Sequence, residues 1–481
     1  MFCCYALHLF HARAGNRFDV TSVCRLVPSL LNKPQLSDIG LDHTPSACVG
    51  CDAWLQAGLP VPPGEVVRKG WKAVLQFVRA GATVAVHELR LMLVGDGEVG
   101  KTSLQRAFAA DAKKAEWIGK RERTVGIVIN ELRFEAGGEP TVTCQVCDFA
   151  GQEIYYFSHT MHFTRRCLYV LMWTAHKFSE SGAAQELTLH DIVSPMKQWL
   201  QLLAANVPEA SVLLVGTHCR VQPETFEAVR AQVEQQVLAE MQRLRTVADA
   251  ESAATREVLK RQQASCQSLL DQITSELSSS QLQLAAPRLL LADVEAFTKR
   301  LSEARPAAQR GLMQKAKLLL QTAQELTRTQ ERLCRLHGVY DGSAPAAHAP
   351  LAHLKLVKER SFAVDSIEGV GVAELLEAIE ATCRDSQALP FMGEQVPQSW
   401  LQVADALRQE QDGIGGGVMT LREAVSKVQV AIQSRPEAEV NFARRLDSQG
   451  VQSSLEFWSL LGRVFVHDGH FLRDPACSST C

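Results

Sequence analysis

The run ELRLMLVGDGEVGKTS constrains the fold more than any other part of this 481-residue chain. It joins an apolar, strand-type segment to helix-forming text through Gly95-x-x-x-x-Gly100-Lys101-Thr102, which is P-loop spacing. Such a loop needs a strand before it and a helix after it, so it calls for an α/β domain. Each part has a chemical task. Gly97 and Gly100 let backbone N–H groups close around phosphate oxygens, and the start of the helix adds its positive dipole end. The residues read as phosphate-binding are Gly95, Asp96, Gly97, Glu98, Val99, Gly100, Lys101, Thr102 and Ser103. Lys101 is expected to reach the β- and γ-phosphates and Thr102 to ligate Mg²⁺.

The text around this loop alternates as an α/β domain should. IVINELRF and TVTCQVCDF read as strands around the turn EAGGEP, and CLYVLMWTA reads as a fully apolar strand. SPMKQWLQLLAAN reads as a helix and SVLLVGTH as a strand, giving a mostly parallel sheet with helices on both faces. From Glu224 the composition shifts to Ala, Gln, Leu, Glu and Arg. Cys266, Leu270, Ile273 and Leu277, then Val294, Phe297 and Leu301, recur at helical spacing. This predicts long helices, arranged as an antiparallel hairpin and broken near Ala285–Pro287 and Pro306. SFAVDS then resumes as a strand and GVGVAELLEAIEATC as a helix, so the helical block is an insertion, which a sheet edge tolerates at small entropic cost.

The predicted organisation has six parts. Residues 1–57 are unassigned, with a disordered or vestigial start; 58–86 carry a turn and an amphipathic helix with Val66, Val67, Trp71, Val74, Leu75 and Val78 on one face. Residues 87–223 and 351–386 form the α/β domain, 224–350 the helical insertion, and 390–481 a mainly helical unit around a glycine-rich loop, GIGGG. A net charge of -3 gives no electrostatic case for nucleic acid, and no apolar run reaches bilayer length. The scattered cysteines lack a paired framework, which points to reduced thiols and a cytoplasmic location. His159, His162 and His218 sit on separate segments and do not read as a zinc site.

Two further segments complete the phosphate chemistry. Thr124, before a strand in RERTVGIVINEL, is placed to contact Mg²⁺ and a γ-phosphate from a mobile loop. Asp148-Phe-Ala-Gly151-Gln152 follows the strand TVTCQVC. Asp148 suits a Mg²⁺-bound water, the Gly151 N–H suits the γ-phosphate, and Gln152 suits orientation of an attacking water. The metal set is therefore Thr102, Thr124 and Asp148, and the catalytic set Lys101, Thr124 and Gln152.

Gly95–Thr102, Thr124 and Asp148–Gln152 resemble the small Ras-like GTPases. DFAGQEIYYFSHTMHFTRRCLYVLMW resembles more particularly the Roc domains of the Roco family, which pair a Roc GTPase with a COR domain. MGEQVPQSWLQVADAL and SLEFWSLLGRVFVHDG resemble the start of a COR domain, and LPVPPGEVVRKGWKAVLQFVRA the segment that precedes Roc in leucine-rich-repeat members. The resemblance implies a Ras-like P-loop fold, a guanine nucleotide (GTP or GDP) as ligand, Mg²⁺, and hydrolysis of GTP in intracellular signalling. It also implies protein partners or self-association through the COR-like segment, to which the helical insertion is a candidate contributor. No kinase motif is read in the chain.

Three departures stand out. Where the family carries an acid that accepts hydrogen bonds from guanine, after Thr217 and His218, this chain has Arg220, with donors only. That motivates an alternative: a nucleotide-binding scaffold with weak or no hydrolysis and relaxed guanine preference, unless Glu224 restores an acceptor. Asp365, Ser366 and Ile367 fall where Ras-like proteins carry Ser-Ala-Lys. The Ser366 backbone N–H can still donate to guanine O6, while a plain cap by Asp365 or Ser366 explains the same residues equally well. The COR-like segment is also shorter than the family's.

Overall fold

Apolar runs bounded by turn residues become strands here, and amphipathic runs between them become helices. The computed structural model describes residues 62–63, 66, 77–78, 82–108, 127–135, 137–149, 162–178, 183–279, 291–303, 310–336, 353–409, 419–435, 443, 446–461, 464–467 and 470–472. In chain order the first elements are β1 (Thr83–Val86), β2 (Glu88–Gly95), α1 (Lys101–Ala107), β3 (Ile127–Phe134), β4 (Val142–Phe149), β5 (Cys167–Thr174), β6 (His176–Phe178) and β7 (Ala184–Glu186). Next come α2 (Leu189–Asn206), β8 (Ser211–Thr217), α3 (Pro223–Ser279), α4 (Leu291–Glu303), α5 (Arg310–Leu336), β9 (Lys355–Leu356), β10 (Phe362–Val364) and α6 (Val372–Arg384). The last are β11 (Glu394–Pro397), α7 (Gln398–Gln409), β12 (Met419–Thr420), α8 (Leu421–Ser434), α9 (Ser448–Leu460), β13 (Phe465–His467) and β14 (His470–Leu472).

The chain divides into two compact units, residues 1–91, 125–147 and 379–481 in one and residues 92–124 and 148–378 in the other. The α/β class is as expected. In the second unit β8 lies between β5 and β10, parallel to both, with Thr174 opposite Thr217 and Phe362 opposite Val215. The short β9 also pairs with β8 in parallel. β2 is the sheet neighbour of β5. Every residue of β5 and β8 is buried, as expected for strands covered on both faces. Trp173 of β5 stacks on Phe226 at the start of α3, with centroids 5.0 Å apart and planes 8° apart. Gly216 makes room for them, since a Cβ there would lie 2.6 Å from Trp173 and 2.7 Å from Phe226.

Two boundaries differ from expectation in this unit. α2 begins at Leu189, ahead of the SPMKQ run, and Pro195 lies inside it. Thr188 caps it: the Asp191 amide donates to the Thr188 hydroxyl, and the Thr188 amide to the Asp191 carboxylate. This reciprocal cap fixes the start although Pro195, in the second turn, has no N–H to give the Asp191 carbonyl. The β6–β7 hairpin before it was not anticipated.

In the helical block α3 ends at Ser279, α4 spans Leu291–Glu303 and α5 begins at Arg310; the breaks predicted near 285–287 and 306 lie outside the described residues. α3 alone runs 57 residues, roughly 85 Å at 1.5 Å per residue. Cys266, Leu270, Ile273, Leu277, Val294, Phe297 and Leu301 are all buried, and they share a core with Ala316, Leu319 and Leu333 of α5. Glu276 of α3 pairs with Lys315 of α5, and Glu251 of α3 with Arg332 of α5, so the two helices run antiparallel. The base of α3 is fixed to α2, where Lys197 donates to Gln236 at 3.1 Å and Gln201 to Glu240 at 2.9 Å.

In the first unit β1 pairs antiparallel with β11, Thr83 opposite Pro397 and Val86 opposite Glu394. Val66, Phe77 and Val78 are helical and buried against Val396, Trp400 and Val403. Val67, Trp71, Val74 and Leu75 lie outside the described residues, as do all of residues 1–57 and the GIGGG loop. Trp400 anchors this core: Phe77 meets it edge-on at 6.1 Å, and the Trp458 indole donates to its carbonyl at 2.8 Å. Two features were not read from sequence. Residues 83–86 form a strand, and Phe465–His467, at the end of text read as helical, and His470–Leu472 form β13 and β14 of a small antiparallel sheet with β12.

Candidate functional site

β2 ends at Gly95 with φ 152°, and a Cβ there would come within 2.6 Å of the Met172 carbonyl oxygen on β5. Only glycine lets the chain leave the sheet at this point. The loop then closes through left-handed turns at Glu98 (φ 68°) and Gly100 (φ 87°), the residue that precedes α1. Val99 is buried and Glu98 exposed; Asp96, Gly97 and Ser103 are half-buried.

Lys101 points back over this loop. Its Nζ donates to the Gly95 carbonyl at 2.9 Å and the Asp96 carbonyl at 2.7 Å. Burial pushes its pKa down to about 8, against the opposing pull of Asp148 and Asp96. Thr102 donates its hydroxyl to Asp148 Oδ2 at 2.6 Å, and Asp148, at the end of β4, is fully buried. A hydroxyl and a carboxylate in contact beside a buried ammonium are hard-oxygen ligands of the kind a small divalent cation takes. Thr124, Gly151 and Gln152 lie outside the described residues.

The other end of the site grows from β8. The Thr217 hydroxyl donates to the Val99 carbonyl at 2.8 Å and so ties this loop to the P-loop. His218 takes a left-handed φ of 58°. Its Nδ1 lies 3.0 Å from the Thr174 hydroxyl, and Phe178 packs edge-on against the ring at 4.9 Å. The imidazole lies only 3.6 Å from where a Cβ on Gly100 would sit. Burial pushes its pKa down to about 4; Asp365 pulls upward and His176 adds to the fall. The Cys219 amide donates to the Val364 carbonyl at 3.3 Å, joining the loops after β8 and β10.

After β10, Asp365 organises a tight turn. Its amide donates to the Val370 carbonyl at 2.9 Å, and its Oδ1 accepts the amides of Ile367 and Glu368, each at 3.1 Å. Gly371 closes the turn with φ 71°, where a Cβ would lie 2.1 Å from the Ala363 carbonyl oxygen. Asp365 therefore caps the turn itself, since α6 starts only at Val372. Ser366 is buried within the turn.

Arg220 and Glu368 bridge the two loops. Arg220 Nε stands 3.4 Å from Glu368 Oε2, with both side chains 57% exposed. Glu224, the acceptor weighed from sequence, lies in the first turn of α3; the recorded ion pair of Arg220 is with Glu368. Sequence reasoning missed Glu368, Thr174 and Phe178. No motif marks them, because each matters through a contact made across the fold.

The family model for the Roc domain, described as "Ras of Complex, Roc, domain of DAPkinase", matches residues 90–220. Among curated proteins, the probable serine/threonine-protein kinase pats1 of Dictyostelium discoideum is 29% identical over 177 residues, covering 33% of this chain and 5% of that protein. Leucine-rich repeat serine/threonine-protein kinase 1 of Mus musculus is 30% identical over 173 residues, covering 35% of this chain and 8% of its own length. The chain thus spans less than a tenth of these relatives. Among solved structures, Methanosarcina barkeri Roco2 RocCORdC bound to GDP is similar at TM-score 0.41 and 14% identity, over 82% of this chain and 75% of that one. The matched segment holds the P-loop, Asp148 and the Thr217–Arg220 loop, so residues 90–220 carry a Roc domain, through which the chain resembles the Roco proteins.

Proposed function

We propose that the chain binds a guanine nucleotide and hydrolyses GTP to GDP as a signalling switch. The observation that carries this is the phosphate end of the site. A buried Lys101 lies over a glycine-shaped loop, beside the Thr102–Asp148 contact of 2.6 Å. The phosphates would take the place of the Gly95 and Asp96 carbonyls as partners of Lys101. Mg²⁺, held by Thr102 with Asp148 and Thr124 in support, would neutralise charge on the β- and γ-phosphates. Gln152 would orient the attacking water, and Thr217, His218, Arg220 and Ser366 would border the base. Turnover of this kind is slow without an added arginine or partner.

Further parts of the proposal concern organisation. Residues 87–223 and 351–386 are read as one Roc-like domain, 224–350 as its insertion and 390–481 as a partial COR-like domain that contributes to self-association or partner binding. Among the described residues no helix is long and apolar enough to cross a membrane; a cytoplasmic location is part of the proposal.

The test is titration of the purified protein with fluorescent GTP and GDP, followed by phosphate release. Mg²⁺-dependent binding and slow release that falls on Gln152→Ala are expected. Binding untouched by Lys101→Ala would overturn the whole reading. Arg220 favours a second reading, a scaffold with little hydrolysis and relaxed base choice; tight GTP binding with no release, unchanged by Gln152→Ala, would support it.

A further inference from the structure

Guanine presents an N1–H and an N2 amino group along one edge, so selecting it requires an acceptor at that edge of the slot. The loops that would border the base, 217–220 and 365–368, contain two carboxylates. Asp365 is buried in the turn, where its Oδ1 holds the amides of Ile367 and Glu368. Glu368 is exposed, and its backbone is fixed by that same turn. Arg220 meets its carboxylate at 3.4 Å from the opposite loop. One contact leaves acceptor capacity on a carboxylate, which has about four lone-pair sites.

We propose that Glu368, held across the base slot by Arg220, is the acceptor that reads guanine, and that Arg220 is its positioning residue. The inference rests on the guanine-nucleotide reading above. In it the acid missing from position 220 is restored from the other loop, with Arg220 supplying the charge that steers it. A carboxylate here would accept from guanine N1–H and N2–H. It would repel the C2 oxygen of xanthine and the N1 lone pair of adenine, since both are acceptors. The exposed ion pair contributes little to stability, so changing either residue should leave the fold intact.

The experiment is competition of GDP, xanthosine diphosphate and ADP against a fluorescent nucleotide on the full chain. Wild type should prefer GDP to both competitors. Glu368→Gln offers a donor as well as an acceptor, and should lower the ratio of GDP to xanthosine diphosphate affinity by roughly tenfold to a hundredfold, the worth of a hydrogen bond to a charged group. Arg220→Gln should lower the same ratio by less, because the carboxylate remains but is no longer steered. A merely structural role for either residue would weaken all three nucleotides together. An unchanged ratio in Glu368→Gln, or equal affinity of wild type for GDP and ADP, would overturn the inference while leaving the phosphate site standing. If wild type and Lys101→Ala both fail to bind any of the three, the guanine-nucleotide reading itself falls.

Discussion

The two ends of the site are built on different principles. At the phosphate end the work is done by backbone and by buried, short-range contacts. Gly95 and Gly100 shape the loop, Lys101 is sealed over it, and Thr102 grips a fully buried Asp148. At the base end Arg220, which departs from family form, is half exposed and pairs with an equally exposed Glu368. Thr217 and His218 keep family form, Thr217 buried and His218 half-buried. The contrast teaches where such a site can change. Phosphate would be held by amides that every residue possesses, within a loop few sequences can form. The base would be read by side-chain tips, whose partners can be exchanged between loops without disturbing the sheet.

Removing a buried part of the phosphate end should therefore cost most. Lys101→Ala is expected to weaken GDP binding by roughly a hundredfold or more, the scale of losing charge-assisted contacts in a closed site. A fluorescent-nucleotide titration checks it, and a loss smaller than that in Arg220→Gln would reverse the ranking of the two ends. A second test asks whether backbone shape matters only under the phosphates. Gly371→Ala forces a Cβ to within 2.1 Å of the Ala363 carbonyl at a left-handed φ. It should destabilise the fold by about 2–4 kcal/mol, seen as a lower thermal midpoint by circular dichroism. An unchanged midpoint would mean that the turn carrying Glu368 is as adaptable as the side chains upon it.

What was legible in the sequence follows the same division. The P-loop could be read because its spacing is local and its glycines have no substitute. The cores of α3 and α4 could be read because helical spacing repeats within one segment. The partner of Arg220 could not, because Glu368 lies beyond the whole helical insertion and carries no motif. The β1–β11 pair was missed for the same reason: TVAV is too short to declare itself a strand, and its partner lies far along the chain. The start of α2 was misplaced because Pro195 is a louder signal than the Thr188–Asp191 cap that sets it.

Proton linkage separates the two ends on a finer scale. The Lys101 ammonium, pushed down to about 8 by burial, is charged below that pH and should be held charged to higher pH by bound phosphates. GDP affinity should then fall above pH 8 by up to about tenfold per pH unit. The slope should be absent from Lys101→Ala, which shares any titration of the nucleotide itself. A slope that persists in that variant would place the proton elsewhere.

The base end should be silent where an ordinary histidine titrates. A histidine whose pKa is lowered stays neutral above the new value and charges only below it; for His218 that value is about 4. Nothing at His218 should change between pH 5 and 7, even though the terminal phosphate of the nucleotide gains a proton near pH 6. The useful comparison is thus between wild type and His218→Asn, because asparagine tolerates the left-handed φ that His218 adopts. Both should show the same dependence of GDP affinity on pH across that range, set by the nucleotide alone. A step near 6.5 in wild type that vanishes in His218→Asn would mean the imidazole is far less sealed than its contacts with Thr174 and Phe178 imply. The base end would then be a second proton-sensitive site, and the contrast between a rigid phosphate grip and an exchangeable base reader would extend to its buried half.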